Sequence, residues 1–591
     1  MDFPFDPNEI LQKKKSIRRH LLQKQDFLEI RIAILGGSTT DEVKNILELF
    51  LLKESIQPVF YESGYNKCFE DVMFENPDLI AFKPQIVYVH TTNVNILNVP
   101  HISDSETEIQ QKLRNELNRF TCLWEKTKAL FACPIIQNNF ELPQTRSLGN
   151  LDFSDSRGMV HYITQLNKEL AAYAASNKGF YINDINYLSS WIGLSKWHDK
   201  TFWYSSKYAF NYEAIPYISH NISRIIVAII GKSKKCLVLD LDNTLWGGVI
   251  GEDGVEKISI GNETAIAEAY SGFQRYLKGL KDRGVMLAVC SKNDPDTALE
   301  GLSHPDNILK PGDFLIIKAG WQDKHLSLRE ISQVLNIGLD SMVFIDDNPA
   351  EREIVKTQLP EVCVPDIGSD VVFFPEIIDR TAFFEPANIS GEDLERTKYY
   401  VENAHRSDSL SKFKDYNKFL ISLEMKAEIT DFKPIYLERI AQLTNKTNQF
   451  NLTTRRYTLD EIEAISKDNR YIRLCGKLQD KFGDNGLVSV IVGKIDGVCL
   501  HIDLWIMSCR VIKRNLEFAM FDNLVDVCRK RGIEQIIGTY IPTKKNNLVA
   551  NHYSLLGFSK VSAQEDGTTT WNVEIKNSIK KLNTLLEVKN D

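Results

Sequence analysis

From Glu29 to about Ile230, short apolar runs alternate with stretches in which apolar residues recur at helical spacing. "EIRIAILG" predicts a strand and "TTDEVKNILELFLLKE" an amphipathic helix, followed by a strand at "PQIVYVHT" and a long amphipathic stretch from Glu106 to Leu130. "FACPIIQNN", a helix near Val160 to Ala175, and "GFYINDIN" continue the alternation. Strands separated by helices of this length predict a mainly parallel sheet with helices on its faces, an α/β domain over residues 1–230.

After the charged connector "GKSKK" the same rhythm returns over residues 235–386. Strand-like "CLVLDLD", "VMLAVCSKN" and "SMVFIDD" alternate with a helix at "AEAYSGFQRYLKGLKDRG" and another near His325 to Leu335, and "EVCVPD" predicts a last short strand. This unit is again α/β, of doubly wound character. Residues 387–418 are polar, poor in β-branched residues, and predicted to be linker helices. Over residues 419–578 the order changes. A strand at "EMKAEITDF", a helix around Pro434 to Lys446 and two paired strands in "GLVSVIVGKIDGVCLHIDLWIMSC" precede a helix at "NLEFAMFDNLVDVCRKRG" and a strand at "IEQIIGTYI". Helices against a largely antiparallel sheet make this unit α+β.

Composition fits three such domains: 591 residues, 43% hydrophobic and 25% charged. The net charge of −8 disfavours a nucleic-acid partner. The longest apolar run, "IIVAII" at Ile225 to Ile230, is far too short to cross a bilayer, and "MDFPFDPNEI" lacks the basic-then-apolar order of a secretory signal. Ten cysteines with no CxxC pair argue against a zinc site and a disulfide framework, so a reducing cytoplasm is expected.

The chemistry concentrates in "CLVLDLDNTLWGGVIGEDG". Asp240 and Asp242 stand two positions apart where a strand gives way to a loop, at the edge where doubly wound sheets bind ligands. Such carboxylates repel unless a cation lies between them, and a hard cation such as Mg²⁺ with oxygen ligands removes the conflict. One carboxylate is then free to attack phosphorus and its neighbour to carry the leaving-group proton. Later strand ends supply partners in order: Ser291 in "AVCSKND", Lys324 in "WQDKH", and Asp346 and Asp347 in "VFIDDNPAER". The plainer readings are a helix cap for the Asp pair and a solvated surface lysine for Lys324.

This four-part series resembles the haloacid dehalogenase (HAD) superfamily of phosphotransferases, with its Rossmann-like fold. The resemblance implies Asp240 as nucleophile, Asp242 as general acid/base, and Ser291 and Lys324 as phosphoryl ligands, with Thr244 on the phosphate-binding loop. It also implies a Mg²⁺ site drawn from Asp240, Asp242, Asp346 and Asp347. The flanking residues "DLDNTLWGGVIGEDG", "CSKND" and "FIDDNPAERE", with "LTNKTNQFNLTTRRY", "FGDNGLVSVIV" and "DLWIMSCRVIKRNLE" further on, resemble the FkbH-like branch of that superfamily. The branch implies an enzyme that dephosphorylates a bisphosphoglycerate-type donor, a phosphorylated three-carbon acid. The glyceryl unit is then loaded onto the phosphopantetheine thiol of an acyl carrier protein. The alternatives are a stand-alone Mg²⁺-dependent phosphatase for a sugar or polyol phosphate, and a scaffold with a vestigial site.

The third unit, closing on "NHYSLLGF", resembles the GNAT acyltransferase fold, although the glycine-rich QxxGxG/A segment of that fold is missing. In it Arg510, Lys513 and Arg514 suit an anionic carrier arm, and Lys446 and Asn448 within "NKTNQFN" suit a polyol or a carrier, or else cap a helix. Cys509 beside Arg510, and Cys290 beside Ser291, are the thiols that could hold an acyl group; packing is their plainer role. In the first unit, "RIAILGGSTTDEV" puts Ser38 at a strand-to-helix turn, as in the SGNH hydrolases, whose sheet is of flavodoxin type. Gly64 and Asn93 fall where that fold's oxyanion contributors lie. The DxxH pair is absent, and "WHDKTFWY" offers His198 next to Asp199 instead, a pair too close in sequence to form an Asp–His–Ser line. A noncatalytic or carrier-docking domain is therefore the competing expectation.

Overall fold

The structure, a computed structural model, describes residues 1–575 and 580–590, apart from 25–26, 390, 392–398, 401, 403–405, 407–412, 414, 448 and 544. The expected linker helices fall largely on residues outside those described. The chain divides into two compact units, residues 1–230 with 385–387, and residues 231–384 with 388–591.

The first unit is built on a parallel sheet of β1 (Leu28–Gly36), β2 (Ile56–Glu62), β3 (Ile86–His90), β4 (Ile135–Asn138) and β5 (Phe180–Asn183), in the order β2-β1-β3-β4-β5. Strand β1 shows why its sequence is apolar at nearly every position. Ile30, Ile32 and Ile34 pack on one face in a core shared with residues of the helices Asp41–Lys53 and Ile215–Ile229. Ala33 and Leu35 pack on the other, with residues of Glu106–Phe131 and Met159–Ser176. A strand covered on both faces has no solvent side to leave polar. Strand β2 was not foreseen, because Pro58 breaks its pattern. Proline lacks the donor that a central strand needs, and β2 tolerates it by lying at the sheet edge.

In the second unit, β6 (Cys236–Leu239), β7 (Met286–Ser291), β8 (Ile316–Ala319) and β9 (Met342–Ile345) form a parallel sheet ordered β8-β7-β6-β9. The predicted strand at "EVCVPD" is reduced to a single bridge between Cys363 and Val343; Pro360 and Pro365 on either side limit its pairing. The remainder of the unit carries β10 (Lys426–Thr430), β11 (Tyr471–Asp480), β12 (Gly483–Asp496), β13 (Cys499–Met507), β14 (Gln535–Tyr540), β15 (Ser559–Ala563), β16 (Thr569–Glu574) and β17 (Glu587–Asn590). These make one mixed, mainly antiparallel sheet in the order β15-β16-β14-β13-β12-β11-β10-β17. Strands β13 and β14 run parallel but pair only over Cys499–Ile502 and Gln535–Gly538. Beyond that the chain itself fills the gap. The Leu452 amide donates to the Trp505 carbonyl (3.2 Å), the Met507 amide to Phe450 (3.0 Å) and the Ile541 amide to Leu452 (2.8 Å).

Candidate active site

Strand β6 delivers Asp240 in fixed backbone geometry, since the Asp240 amide donates to the Ile345 carbonyl at 3.0 Å and extends the ladder to β9 by one step. One carboxylate oxygen, Oδ2, lies 2.7 Å from Lys324 Nζ. The other, Oδ1, is buried and accepts no hydrogen bond among the described residues. Lys324 opens the helix Lys324–Leu335, and its Nζ also reaches Asp346 Oδ2 at 2.5 Å. It is a buried ammonium between two carboxylates, not the solvated lysine of the plainer reading. Asp346 Oδ1 accepts from the Asn348 amide at 2.9 Å. Arg352 donates to the Asp346 and Asp347 carbonyls and to the Asp366 carboxylate, which pins the loop after β9.

Asp240, Asp346 and Asp347 bring one oxygen each within 4.8 Å of one another. Burial, reinforced by the Asp240 charge, pushes the Asp346 carboxyl up to about 6 and raises that of Asp347. Burial works against the Lys324 charge, yet flanking Asp240 and Asp346 hold its pKa above the ordinary value, so it stays protonated. One ammonium among three crowded carboxylates leaves negative charge uncompensated. An all-oxygen donor set of this kind fits a hard divalent cation.

Two assignments within this loop are corrected. Asp242 does not join the metal group. Its Oδ1 accepts from Trp246 Nε1 (2.9 Å) and the Ile250 amide (3.1 Å), and its Oδ2 from Asn293 Nδ2 (2.9 Å). Thr244 is fully buried and exchanges hydrogen bonds with Asp347, both at 3.2 Å, so it orients a carboxylate instead of holding phosphate. Asn293, which sequence reasoning missed, also donates to Ser291 Oγ at 3.3 Å and so ties two strand-end groups together. The glycines of "LWGG" are demanded by space and backbone. A Cβ on Gly247 would come within 2.7 Å of the Tyr270 ring, and Gly248 sits at φ +96°.

A protein-family model described as "FkbH, N-terminal domain" matches residues 31–227. The crystal structure of the N-terminal part of BF1531 from Bacteroides fragilis, containing a phosphatase domain and complexed with Mg, is 30% identical with a TM-score of 0.59. The match covers 64% of this chain and 99% of that one. The chain belongs to the same family as that protein. Residues 31–227 thus carry an FkbH N-terminal domain, and the match to the phosphatase-containing structure extends over 64% of the chain. Two acetyltransferases are also similar, the ribosomal-protein-S18-alanine N-acetyltransferase of Escherichia coli and a GNAT-family enzyme of Streptococcus pneumoniae. They are 13% and 14% identical, over 27% and 26% of this chain and 99% and 100% of theirs, with TM-scores of 0.21 and 0.22. No curated protein matches the chain.

The remaining candidates of this family member are not members of the carboxylate group. Cys290 is 1% exposed, its Sγ is 3.7 Å from the Lys324 carbonyl, and burial pushes its thiol up to about 12. Such a thiol is a packing group, which corrects its assignment as an acyl carrier. Arg514 is likewise committed elsewhere. It is buried against Asp480 (3.1 Å), which also holds Arg406 (2.7 Å), and burial with the Arg406 charge lowers its pKa to about 10. Arg510 stacks over Tyr399, at 4.6 Å from the ring centre, and Lys513 is exposed. Cys509 is half-buried, and its carbonyl accepts from Asn336 Nδ2 at 2.9 Å, at the far end of the helix that begins with Lys324. Twelve residues at 1.5 Å each put that end about 18 Å from the phosphoryl side. Asn448 and the Lys446 side chain lie outside the described residues.

In the first unit Ser38 is buried with an unpartnered hydroxyl, while Gly64 is exposed. Asp199 caps a helix through the Thr201 and Phe202 amides, and the carboxylate facing His198 is Glu141, with Oε1 3.9 Å from Nε2. Asn93 is held to Glu141 by its backbone amide, at 3.3 Å from Oε2. Glu141 was not singled out in the sequence, because nothing local marks it.

Proposed function

We propose that this chain is a Mg²⁺-dependent phosphatase working through Asp240. The observation that carries this reading is the division of labour on that carboxylate: one oxygen is neutralised by Lys324 and the other is buried without a partner. Asp240 Oδ1 attacks phosphorus, and the bond to the leaving oxygen breaks. Asp242, held by Trp246, Ile250 and Asn293, gives that oxygen its proton and then takes one from the water that hydrolyses the aspartyl-phosphate. Ser291 and Lys324 steady the phosphoryl oxygens. Asp240, Asp346 and Asp347 would hold Mg²⁺, as the Mg complex of the Bacteroides fragilis relative supports. The ion supplies the positive charge that lets the carboxylates and a phosphate share one cavity.

The substrate we infer is a bisphosphoglycerate-type acid, whose glyceryl or related hydroxyacyl unit passes to the phosphopantetheine thiol of an acyl carrier protein. Two separate stretches support it. The motifs that resemble the FkbH-like branch lie between Lys235 and Phe558, and the matching FkbH family model covers residues 31–227, which those motifs do not touch. The test incubates the full chain with Mg²⁺, 1,3-bisphosphoglycerate and a phosphopantetheinylated carrier, then measures free phosphate and the carrier's intact mass. A glyceryl mass gain with phosphate release is expected. Release without a gain selects the stand-alone phosphatase of sugar or polyol phosphates. No Mg²⁺-dependent release removes both.

A further inference from the structure

The carboxyl edge of the first unit's sheet gathers polar atoms that nothing in the phosphoryl chemistry uses. Ser38 Oγ follows β1; His90 Nε2 stands at the end of β3; Asn138 Nδ2 and Glu141 Oε1 stand at and after the end of β4. Among the described residues all are buried and without a hydrogen-bond partner, and His198 Nε2 joins them from the segment after β5. Unpaired buried polar atoms are destabilising, and native structures keep few of them, so several on one edge call for a reason.

The loops that carry them are bound to one another. The Thr39 amide donates to the Lys207 carbonyl (3.0 Å) and its hydroxyl to Ser206 (2.6 Å). The Gly37 amide donates to the His90 carbonyl (2.9 Å), and the Asn93 amide reaches Glu141. The His90 ring packs edge-on to Phe210, and the Ala209 carbonyl accepts from His198 Nδ1 at 3.1 Å. With Nδ1 so bound, Nε2 is the ring's acceptor nitrogen; it faces the Glu141 carboxyl, and the ring also meets the Leu142 backbone. The 3.9 Å between Nε2 and Oε1 is too long for a direct hydrogen bond and suits one oxygen atom bridging the two.

We propose that this edge is a second ligand site, in which Glu141 and His198 clasp one hydroxyl of a small uncharged ligand, a polyol or a hydroxyacyl ester or amide. The proposal does not depend on the phosphatase reading. Its ligand class follows from the lining. None of the groups named above is a lysine or arginine, so these atoms offer a phosphate or carboxylate no charge partner of the kind that Lys324 supplies. Burial also raises the Glu141 carboxyl to about 8 and lowers the His90 and His198 pKa values, so the edge stays neutral near pH 7. A protonated Glu141 donates to the ligand oxygen, and the His198 Nε2 lone pair accepts its proton.

The test uses the full chain without Mg²⁺, labelled with ¹⁵N at histidine, and titrated with glycerol, methyl glycerate, glyceramide and, as the charged control, glycerate. The His198 imidazole signal is assigned by its loss in His198→Gln. The expected result is a saturable shift of that signal by at least one uncharged probe and not by glycerate, with affinity reduced about tenfold or more in Glu141→Leu. If the signal moves with none of the uncharged probes, a buried water accounts for the pair and the proposal fails. It also fails if glycerate binds as well as the neutral probes, or if Glu141→Leu binds as wild type does. Should that variant not fold, as judged by its circular dichroism, the wild-type titration decides alone.

Discussion

At the carboxyl edge of β6–β9 the crowded atoms are three carboxyl groups around one lysine; at the same edge of β1–β5 they belong to hydroxyl, amide and imidazole groups and to one carboxyl whose pKa burial raises to about 8. The two edges come from the same construction, parallel strands whose last residues turn polar. The difference lies in what each strand end carries. Strands β6 and β9 run into Asp240 and Asp346–Asp347, with a helix start that delivers Lys324. Strand β1 runs into Gly37 and Ser38, β3 into His90 and Thr91, and β4 into Asn138 and Asn139. A parallel sheet thus sets the place for a site, and a few terminal side chains decide whether it suits a metal-bound phosphate or an uncharged group.

The comparison breaks most plainly at Asp240. Asp240→Asn should cut Mg²⁺-dependent phosphate release by roughly a thousandfold or more, read with a small phosphomonoester; near-normal turnover would mean that the acidic edge is not where phosphorus reacts. Lys324→Met should lower turnover about a hundredfold. It should also melt the metal-free protein earlier, by a loss of about 3–5 kcal/mol, because two buried carboxylates lose their shared cation. Asp242→Asn should cost about a hundredfold with an alkyl phosphate and much less with nitrophenyl phosphate, whose leaving group needs no proton. An equal loss on both would place Asp242 outside proton transfer.

Two smaller effects sharpen the contrast through pH. Asp346 has a raised pKa in the folded chain, so the folded state holds its proton more tightly than the unfolded one. That contribution is present below the ordinary carboxyl range and is lost as pH rises through about 6. The thermal stabilisation by Mg²⁺ should therefore be larger at pH 7.5 than at pH 5; equal shifts in a melting assay would detach the ion from these carboxylates. Glu141 follows the same sign with a wider window. Its raised pKa makes stability fall as pH rises from about 4.5 to about 8. Glu141→Gln lacks the titrating proton, so its melting temperature should gain on wild type across that interval and then level off. A pH-independent difference would show that Glu141 is ionised in the fold.

The acidic edge was largely legible in the sequence, because each of its parts sits beside an apolar run that marks a strand end. What stayed hidden was orientation. Asp242 has the same local setting as Asp240, and its bonds to Trp246, Ile250 and Asn293 show that it turns away from the cluster. Arg514 looked like a surface cation because its partner Asp480, which Arg406 shares, comes from another element. The neutral edge was half legible. Ser38, Asn93 and His198 stood out, but Glu141 faces His198 only after β4 and the segment following β5 are brought together, and no spacing rule announces such a pair. The edge strand β2 escaped for a local reason, Pro58, whose acceptability depends on a position in the sheet that the chain does not spell out.

The helix from Lys324 to Leu335 meets the carboxylates at one end and the Cys509 backbone at the other. A fragment set free at the first end and taken up at the second would have to travel the length of that helix, about 18 Å. It either rides on a tether or mixes with the surrounding pool, and an excess of unlabelled fragment would dilute the label in the second case only.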